Sequence, residues 1–438
     1  MPYTDRYGSY LDAMPGQIAA GKESQKTPVF AYTSNLDVVL KWDAETYNRI
    51  LDQYLKEEPS VHEGDRIRTL EDFARITCFY LMRGLGGNFD ITENAICEFL
   101  KEQFHSEYSL GGTCAQGASA IGTMGFPVSV HLTDKSREVC GMLDHDGTTV
   151  IRGNRMIPVS EGSETKFPVY HFILQFKKDD EIRVFDRKVK IPLSNRMILF
   201  FDTIHKKVPV DADFLRYWED PGHGISSYLI SGFDAVIDPK IMEERLQELE
   251  PHLDRVKKNH PNAVLYFEGA FYMNPAVKDL SAKVFCRYAD ILGTNEEELT
   301  EQTERFGIKI DASKPEELFR GLTLLLSEYP VKGIILHTKD YAMYFGEELP
   351  HIDIEEGLTI GNLMAGTRAR IGKYGTPEEC RETLSLPPSS TGLAMAEEVK
   401  KWKTDRMTVV VPSKYLEYPK YTIGLGDTFV SGVHTCFF

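Results

Sequence analysis

Apolar and amphipathic segments alternate regularly through the second half of the chain, from Ser227 onward. Short runs rich in β-branched and aromatic residues predict buried strands at 228–231, 264–267, 289–292, 333–337 and 407–411. Segments with helical periodicity between them predict helices at 238–252, 297–306 and 315–328. Strands and helices that alternate at this spacing form mostly parallel sheets with helices on both faces. The chain is therefore predicted to have an α/β fold.

The first half of the chain begins in a similar way and then changes character. An apolar run predicts a strand at 28–33, and polar residues, among them Asn35 and Asp37, follow its carboxyl end, where open α/β sheets bind ligands. Further elements are predicted as helices at 70–83, 92–104 and 113–124 and a strand at 128–132. From 148 to 202 apolar and polar residues alternate in short runs. This alternation predicts an antiparallel β insertion that forms a lid.

Composition limits the classes of function. The chain has 438 residues, of which 42% are hydrophobic and 26% charged, as expected for one large globular domain or for a large domain with a smaller one. Its net charge of −16 argues against partners such as nucleic acid or an anionic membrane. The seven cysteines form no CxxC pair, so neither a disulfide framework nor a zinc cluster is predicted. No apolar run is long enough to span a bilayer, and a cytoplasmic protein is expected.

The strongest local motif is the run Gly424-Leu425-Gly426-Asp427. Its glycines allow a tight turn and a close approach to a ligand, and a helix predicted to begin at about Asp427 would direct free N–H groups at an anion. The carboxylate can accept a proton from a hydroxyl that attacks a phosphoryl group. The alternative is that Asp427 only caps the helix. The P-loop, the GxGxxG motif and the protein-kinase catalytic loop are all absent from the sequence.

Acidic residues follow two of the predicted strands. Glu268 comes directly after the strand at 264–267, and the segment 290–298 ends in three successive glutamates. Asn295 and Glu298 lie one helical turn apart and can organise a hydrated Mg²⁺, which needs only one or two carboxylates. The alternative is that these acids interact with the helix dipole.

Together these motifs resemble the ADP-dependent sugar kinases, glucokinase and phosphofructokinase, of the ribokinase-like superfamily. The resemblance extends from Ala31 nearly to the end of the chain. The segments that support it are, in chain order, 35–37, 111–112, 171–176, 195–198, 231–233, 295–298, 337–338 and 411–427. It implies a three-layer α/β/α large domain within 28–438 and a smaller β-rich lid domain. The lid would be formed by about 38–60, 84–112 and 160–202, with 1–27 as an N-terminal extension.

The resemblance also implies a reaction and its participants. The terminal phosphoryl group of ADP would pass to a hexose or hexose phosphate with release of AMP, and Mg²⁺ would be required. Asp427 would be the base, and the backbone amides of Gly424, Leu425 and Gly426 would hold the developing charge. The other implied roles are sugar binding by Asn35, Asp37, Gly111, Gly112, His171, Gln175, Asn195 and Arg196, nucleotide binding by His337 and Thr338, and metal binding by Glu268, Asn295 and Glu298.

Four positions bear on the choice of substrate. Tyr266 replaces the histidine of the family's HxE motif, and Gln175 stands where an acid is common. Asn88 falls near a position where glucose users carry glutamate, which disfavours glucose, and Arg196 is suited to a sugar phosphate. Fructose 6-phosphate is therefore favoured slightly over glucose. The alternatives are an ATP-dependent carbohydrate or nucleoside kinase of ribokinase-like fold and a non-catalytic sugar- or nucleotide-binding relative.

Overall fold

Two β-sheets organise the chain, whose computed structural model describes residues 3–165, 167–202 and 204–438. The strands, in chain order, are β1 Lys26–Ala31, β2 Asn35–Leu40, β3 Gly87–Asp90, β4 Ser106–Gly111, β5 Val128–Val130, β6 Thr148–Arg152, β7 Arg155–Pro158, β8 Tyr170–Phe176, β9 Glu181–Val184, β10 Arg187–Lys190, β11 Asn195–Phe201, β12 Gly224–Ile230, β13 Val264–Glu268, β14 Ile291–Asn295, β15 Gly333–His337, β16 Tyr341–Gly346 and β17 Met407–Pro412.

Helices surround the sheets. In chain order they are α1 Tyr3–Glu23, α2 Ala44–Tyr54, α3 Leu70–Leu81, α4 Asn94–Gln103, α5 Thr113–Thr123, α6 Arg137–Met142, α7 Ala212–Glu219, α8 Pro239–Asn259, α9 Pro275–Tyr288, α10 Glu296–Arg305, α11 Pro315–Glu328, α12 Ile354–Ile371, α13 Pro377–Thr383, α14 Ser390–Glu398 and α15 Leu425–Val433. Among the described residues, no helix combines the length and the apolar character that a membrane span requires.

The large sheet has the strand order β17-β16-β15-β14-β13-β12-β1-β5-β6-β7. The strands from β15 to β6 in that order pair in parallel, and antiparallel strands close both edges. Successive β1 residues contribute to cores on opposite faces, Phe30 to one and Val29 and Ala31 to the other. Helices α1, α5, α12 and α15 cover the first face, and α7 to α11 with α14 cover the second. The predicted three-layer α/β/α arrangement is confirmed.

The small sheet has the order β3-β11-β8-β2-β4 and is joined to the large sheet directly, because β2 follows β1 after three residues. On β2, Leu36 and Val38 pack into the apolar core, whereas Asn35 and Asp37 face away from it, as alternation along a strand requires. The strand register sets Asn35 opposite Gly111 and Asp37 opposite His171. Polar side chains from β2 and β8 therefore meet, beside Gly111 of β4, at one end of the small sheet.

The prediction of one antiparallel insertion over 148–202 is wrong in two respects. Strands β6 and β7 belong to the large sheet, where β6 pairs in parallel with β5. The small sheet is mixed, since β2 is parallel to β8 and β3 is parallel to β11. An alternating pattern shows that a strand has two different faces, but it contains no information about the direction of its partner.

The bounds of the small unit also differ from the predicted segments. Strand β2 begins at Asn35, three residues before the predicted start at 38. Helix α3 lies outside the predicted segments but packs on α2, where the Tyr47 and Thr77 hydroxyl oxygens are 2.7 Å apart. The predicted N-terminal extension contains α1, whose residues Tyr7 and Leu11 are buried against the large unit.

Candidate active site

The carboxyl ends of the parallel strands form one wall of a cleft, and the polar end of the small sheet forms the other. The cleft has a volume of about 720 Å³ and is lined by Asn35, Asp37, Gly111, Gly112, Thr113, His171, Arg196, Asp202, Asp234 and Asp427, among others. Ligands of open α/β sheets bind at this edge. The structure therefore brings most of the predicted sugar-side residues together with the predicted base.

The turn before α15 differs in detail from the prediction. The helix begins at Leu425 rather than at about Asp427, and Gly424 occupies the N-cap position with φ 64°, a left-handed conformation that favours glycine. A Cβ atom on Gly424 would lie 1.9 Å from Oε1 of Gln116, so no larger residue fits there. Asp427 is in the first turn of the helix and is not its cap, which removes the capping alternative. The first N–H groups of α15 have no side-chain cap.

A second helix begins beside the same turn. Gly112 precedes α5 with φ 83°, and a Cβ atom there would lie 2.5 Å from the carbonyl oxygen of Thr33. The Thr113 hydroxyl, in the first turn of α5, donates a hydrogen bond to the Asp427 carboxylate. Asp427 therefore lies where the N-termini of two helices converge, an arrangement that attracts anions.

The protonation of Asp427 reflects this position. Burial raises the pKa of the Asp427 carboxyl, while the hydrogen bond from Thr113 and the nearby charges of Arg368 and His337 lower it in part. A carboxylate with a raised pKa is a stronger base than an exposed aspartate.

On the sugar side, Asn35 and Asp37 act as a pair. The Asn35 amide donates to Oδ1 of Asp37 at 2.7 Å, and Gly111 leaves room for this amide, since a Cβ atom there would lie 2.2 Å from it. Nδ1 of His171 lies 3.9 Å from Oδ1 of Asp37. Burial raises the pKa of Asp37, against the opposing effects of His171 and Asn35. These groups offer both donors and acceptors to a polyhydroxylated ligand.

Two residues that were not predicted from the sequence, Asp202 and His205, are linked to His171 through hydrogen bonds. Asp202 accepts hydrogen bonds from Nε2 of His171 at 3.1 Å and from Nδ1 of His205 at 2.8 Å. Burial alone would raise the pKa of Asp202, but its hydrogen bonds with the two histidines hold it below the usual range. Nε2 of His205 lies 3.0 Å from the Ser34 carbonyl oxygen. Burial lowers the pKa of His205, but Asp202 outweighs this effect and the pKa is raised overall.

Asp234, also missed, follows β12 and lines the cleft after the predicted segment 231–233. Gly232 takes φ 87°, and a Cβ atom there would lie 2.0 Å from the Thr33 hydroxyl oxygen. Burial raises the pKa of Asp234, and the charge of Asp427 adds to this effect. The only sequence signal for Asp234, Asp202 and His205 is their position after strands, which many surface residues share.

The predicted metal ligands divide into two classes. The Asn295 side chain accepts from the backbone N–H groups of Glu297 and Glu298, and Glu298 accepts from the Asn295 N–H, so the pair forms a capping box. The prediction of Asn295 as a metal ligand is therefore not supported by its contacts. Burial and the charge of Glu268 raise the pKa of Glu298 to about 7.

Glu268 and Glu298 remain suitable ligands for a cation. Glu268 is 8% exposed, and its Oε2 has no aligned hydrogen-bond donor among the described residues, although the Tyr266 hydroxyl lies beside it. A buried carboxylate with an unused oxygen, Glu268, and a partly buried one with a raised pKa, Glu298, form an oxygen donor set that fits Mg²⁺.

The predicted nucleotide-side residues have structural partners. Nε2 of His337 lies 2.9 Å from Oε1 of Glu268, and the ring also lies close to Gly426, where a Cβ atom would be 3.3 Å from Cε1. Burial lowers the pKa of His337, but Glu268 outweighs this effect and the pKa is raised overall. An imidazole therefore contacts Glu268 although Tyr266 replaces the family's histidine. The Thr338 hydroxyl holds the turn between β15 and β16 through the backbone of Asp340 and Tyr341.

Of the remaining predicted lid residues, some line the mouth of the cleft and others do not. Arg196 and Asn88 line it, and the Arg196 guanidinium has no ionic partner within the described part of the chain. Asn195 instead holds a loop, since its amide donates to the Gly84 carbonyl at 3.2 Å. Gln175 lies farther along the same face of β8, in a separate groove of about 680 Å³. Neither Asn195 nor Gln175 lines the cleft, and their sugar-binding roles stay a prediction.

Comparison with known proteins assigns the chain to a family. The model described as the ADP-specific phosphofructokinase/glucokinase conserved region matches residues 26–434. An ADP-dependent glucose/glucosamine kinase of Pyrococcus abyssi is 23% identical, with 98% of this chain and 96% of the relative covered. An ADP-specific phosphofructokinase of the same organism is 22% identical, with coverage of 92% and 95%.

Solved structures share the fold. The last common ancestor of ADP-dependent phosphofructokinases from Methanosarcinales has a TM-score of 0.83 at 18% identity and covers 100% of this chain and 99% of its own. An ADP-dependent kinase in complex with fructose-6-phosphate and ADPβS has a TM-score of 0.69 at 16% identity, with 98% and 97% covered. The chain belongs to the ADP-specific phosphofructokinase/glucokinase family and is a phosphotransferase that acts on a sugar hydroxyl.

Proposed function

We propose that this protein transfers the terminal phosphoryl group of ADP to fructose 6-phosphate and releases AMP. The observation that supports this proposal most strongly is the position of Asp427 where the N-termini of α5 and α15 converge. Such a place combines an anion-binding site with a proton acceptor, and these are the two requirements of phosphoryl transfer to a hydroxyl group.

In this reaction, the sugar hydroxyl would lie against the Asp427 carboxylate, which accepts its proton as the oxygen attacks phosphorus. The backbone N–H groups at Gly424–Gly426 would face the negative charge of the transferring group, and the α15 dipole favours that charge. Asp37, with Asn35 beside it, and His171 would hold the other sugar hydroxyls. Positioning and charge stabilisation supply most of the catalysis in phosphoryl transfer.

Glu268 and Glu298 are the residues that we expect to hold Mg²⁺. A bound Mg²⁺ supplies positive charge that neutralises the phosphate oxygens of the nucleotide. His337 would orient Glu268 through its hydrogen bond of 2.9 Å. Because an imidazole keeps a buried carboxylate in one orientation, His337 has a supporting role here, in addition to its proposed place on the nucleotide side.

The choice of fructose 6-phosphate over glucose rests on two residues at the mouth of the cleft, Arg196 and Asn88. Arg196 offers a guanidinium with no acidic partner among the described residues, and guanidinium groups bind phosphate in a bidentate manner. Asn88 leaves the mouth without the glutamate that glucose users carry near this position. A structural relative is described as a complex with fructose-6-phosphate and ADPβS, which agrees with this choice.

A panel of donors and acceptors tests the proposal. ADP or ATP is combined with glucose or fructose 6-phosphate in the presence of Mg²⁺, and the phosphorylated sugar is measured. We expect the highest kcat/KM for ADP with fructose 6-phosphate. Turnover with ATP alone would instead indicate an ATP-dependent kinase, and ligand-induced stabilisation without turnover would indicate a non-catalytic relative.

Replacing Arg196 by glutamine is expected to raise KM for fructose 6-phosphate about 10- to 100-fold, because a charge-assisted hydrogen bond to phosphate contributes roughly 1.5–3 kcal/mol. KM for ADP should be unchanged. Steady-state kinetics at fixed ADP measures the effect. Arg83→Gln is the matched control, since Arg83 is an exposed lid arginine that stacks on Phe79 and does not line the cleft. Equal losses in both variants would remove Arg196 from the phosphate site.

A further inference from the structure

Arg368 is a buried cation on α12 that touches the start of both helices at the cleft. It is 3% exposed, and its Nη1 donates to the Gly424 carbonyl oxygen at 3.0 Å and to the Thr428 hydroxyl oxygen at 2.9 Å. Its Nη2 donates to Oε1 of Gln116, on α5, at 2.9 Å. One guanidinium therefore connects α12 to both α5 and α15.

The partners of this guanidinium are all uncharged. Its hydrogen bonds go to a carbonyl, a hydroxyl and an amide, and the rings of Tyr374 and Tyr421 lie 4.3 and 5.3 Å from its central carbon. Two residues along the same helix, Arg370 instead pairs with Glu382 at 3.0 Å. In the described part of the chain, no carboxylate lies within 4 Å of the Arg368 nitrogens. Arginine is almost never fully buried unless it is paired.

The location makes this lack of a partner unusual. Helix N-termini already have a partial positive charge, so a cation placed beside them is unfavourable unless an anion is near. The carboxylates that respond to Arg368 are those of Asp427 and Asp37, both of which line the cleft. Its own helix favours the cation, because Arg368 lies in the last turn of α12, and on the cleft side its charge acts on these two carboxylates.

We propose that Arg368 is a positioning residue for phosphoryl transfer: its guanidinium fixes the Gly424 turn against α5 and adds positive charge beside the anion site at the start of α15. This inference rests on the proposed role of Asp427 as the base. Arg368 does not line the cleft and is not expected to contact either substrate. It acts through the turn that it holds and through its charge.

The charge effect has a measurable sign. Burial raises the pKa of Asp427, whereas the charges of Arg368 and His337 lower it. The other acidic side chains that face this carboxyl in the cleft are Asp37 and Asp234. Loss of the guanidinium would raise the pKa of Asp427 further. The base would then remain protonated up to a higher pH, and the acidic limb of the kcat profile would move in the same direction.

The test compares Arg368→Gln and Arg368→Lys with the parent enzyme. We expect glutamine to lower kcat at least about 10-fold, with KM for both substrates within about threefold, and to move the acidic limb up by about one pH unit. Lysine keeps the positive charge but lacks the planar set of N–H donors of a guanidinium. The acidic limb of the pH profile should therefore not move, while kcat should fall about fivefold or more. Arg370→Gln, on the same helix, should match the parent in all of these quantities.

Several results would overturn the inference. One is a folded Arg368→Gln variant with kcat and pH limb unchanged, and another is an equal loss in Arg370→Gln. If Arg368→Gln does not fold, Arg368→Lys decides, and kcat equal to the parent's would reject the proposal. The variant Asp427→Asn distinguishes the role of Arg368 from the role of Asp427 as base. If Asp427→Asn is inactive and Arg368→Gln is normal, only the role of Arg368 is rejected. If Asp427→Asn turns over normally, the proposed base itself is rejected.

Discussion

Replacing Asp427 by asparagine is expected to lower kcat about 1,000-fold, since a positioned general base contributes roughly 10²–10⁴ in rate. The amide keeps the shape of the carboxylate and can accept the hydrogen bond from Thr113, but it cannot take a proton from the sugar. Dissociation constants for ADP and for the sugar, measured by calorimetry, should stay within about threefold of the parent values because binding and proton transfer are separate functions.

The control for this variant is Asp146→Asn, which makes the same chemical change in a surface turn where Asp146 is exposed. It should retain full activity. If Asp427→Asn turned over at the parent rate, the proton would have to leave by another route and the role of Asp427 as base would be rejected. Loss of both binding and turnover would indicate that the turn had collapsed, and a melting curve would reveal this.

Replacing Glu298 by glutamine is expected to have two effects of opposite sign. Activity in Mg²⁺ should fall about 100-fold, because a carboxylate ligand is lost and with it positive charge near the transferring group. The folded protein should nevertheless become more stable at high pH. The amide avoids a buried negative charge beside Glu268 and still offers an oxygen to the Asn295 N–H.

The pH dependence of this stabilisation follows from the pKa of Glu298, which is about 7 in the folded protein against 4.5 as its ordinary value. A carboxyl with a raised pKa binds its proton more tightly in the folded state, so stability is lost as pH rises from about 4.5 through about 7. The advantage of glutamine should be about 3 kcal/mol near pH 8 and about 1 kcal/mol near pH 5.5. Urea unfolding without Mg²⁺ measures it.

Glu297→Gln is the matched control, since Glu297 precedes Glu298 in the same helical turn and is exposed. It should change neither the free energy of unfolding nor activity beyond the small effects of a surface charge. A Glu298→Gln variant with full activity in Mg²⁺ would show that Glu298 is not needed to hold the ion. A stability difference that did not vary with pH would contradict the raised pKa.

The sequence was sufficient for features whose signal is local. The turn at Gly424–Asp427 was found because its glycines and its acid are contiguous, and most of the parallel strands, though not β6, were found because each is a short apolar run. Glu268 was found because it directly follows a predicted strand, and Glu298 because it ends the acidic segment after the next one. Even here the backbone decided details, since the cap of α15 is Gly424 and Asn295 caps α10 rather than facing the cleft.

Features that depend on distant contacts were not predicted. Helix α12, which presents Arg368, is buried on several sides, and its glycines Gly357 and Gly361 pack against the chain around α15, so it lacks an amphipathic pattern. Asp202 acquires its role through contact with His171, which is 31 residues away in sequence. His205 acquires its role through contact with the backbone of Ser34, which is 171 residues away. No local pattern specifies such pairs.

The most direct test of the proposed function is to identify the products. The enzyme is incubated with ADP, Mg²⁺ and fructose 6-phosphate, and AMP and the phosphorylated sugar are quantified by ³¹P NMR. The proposal predicts one AMP for each sugar phosphorylated, with both products formed about 1,000-fold more slowly in Asp427→Asn. AMP formed without phosphorylated sugar, or transfer observed only when ATP replaces ADP, would contradict it.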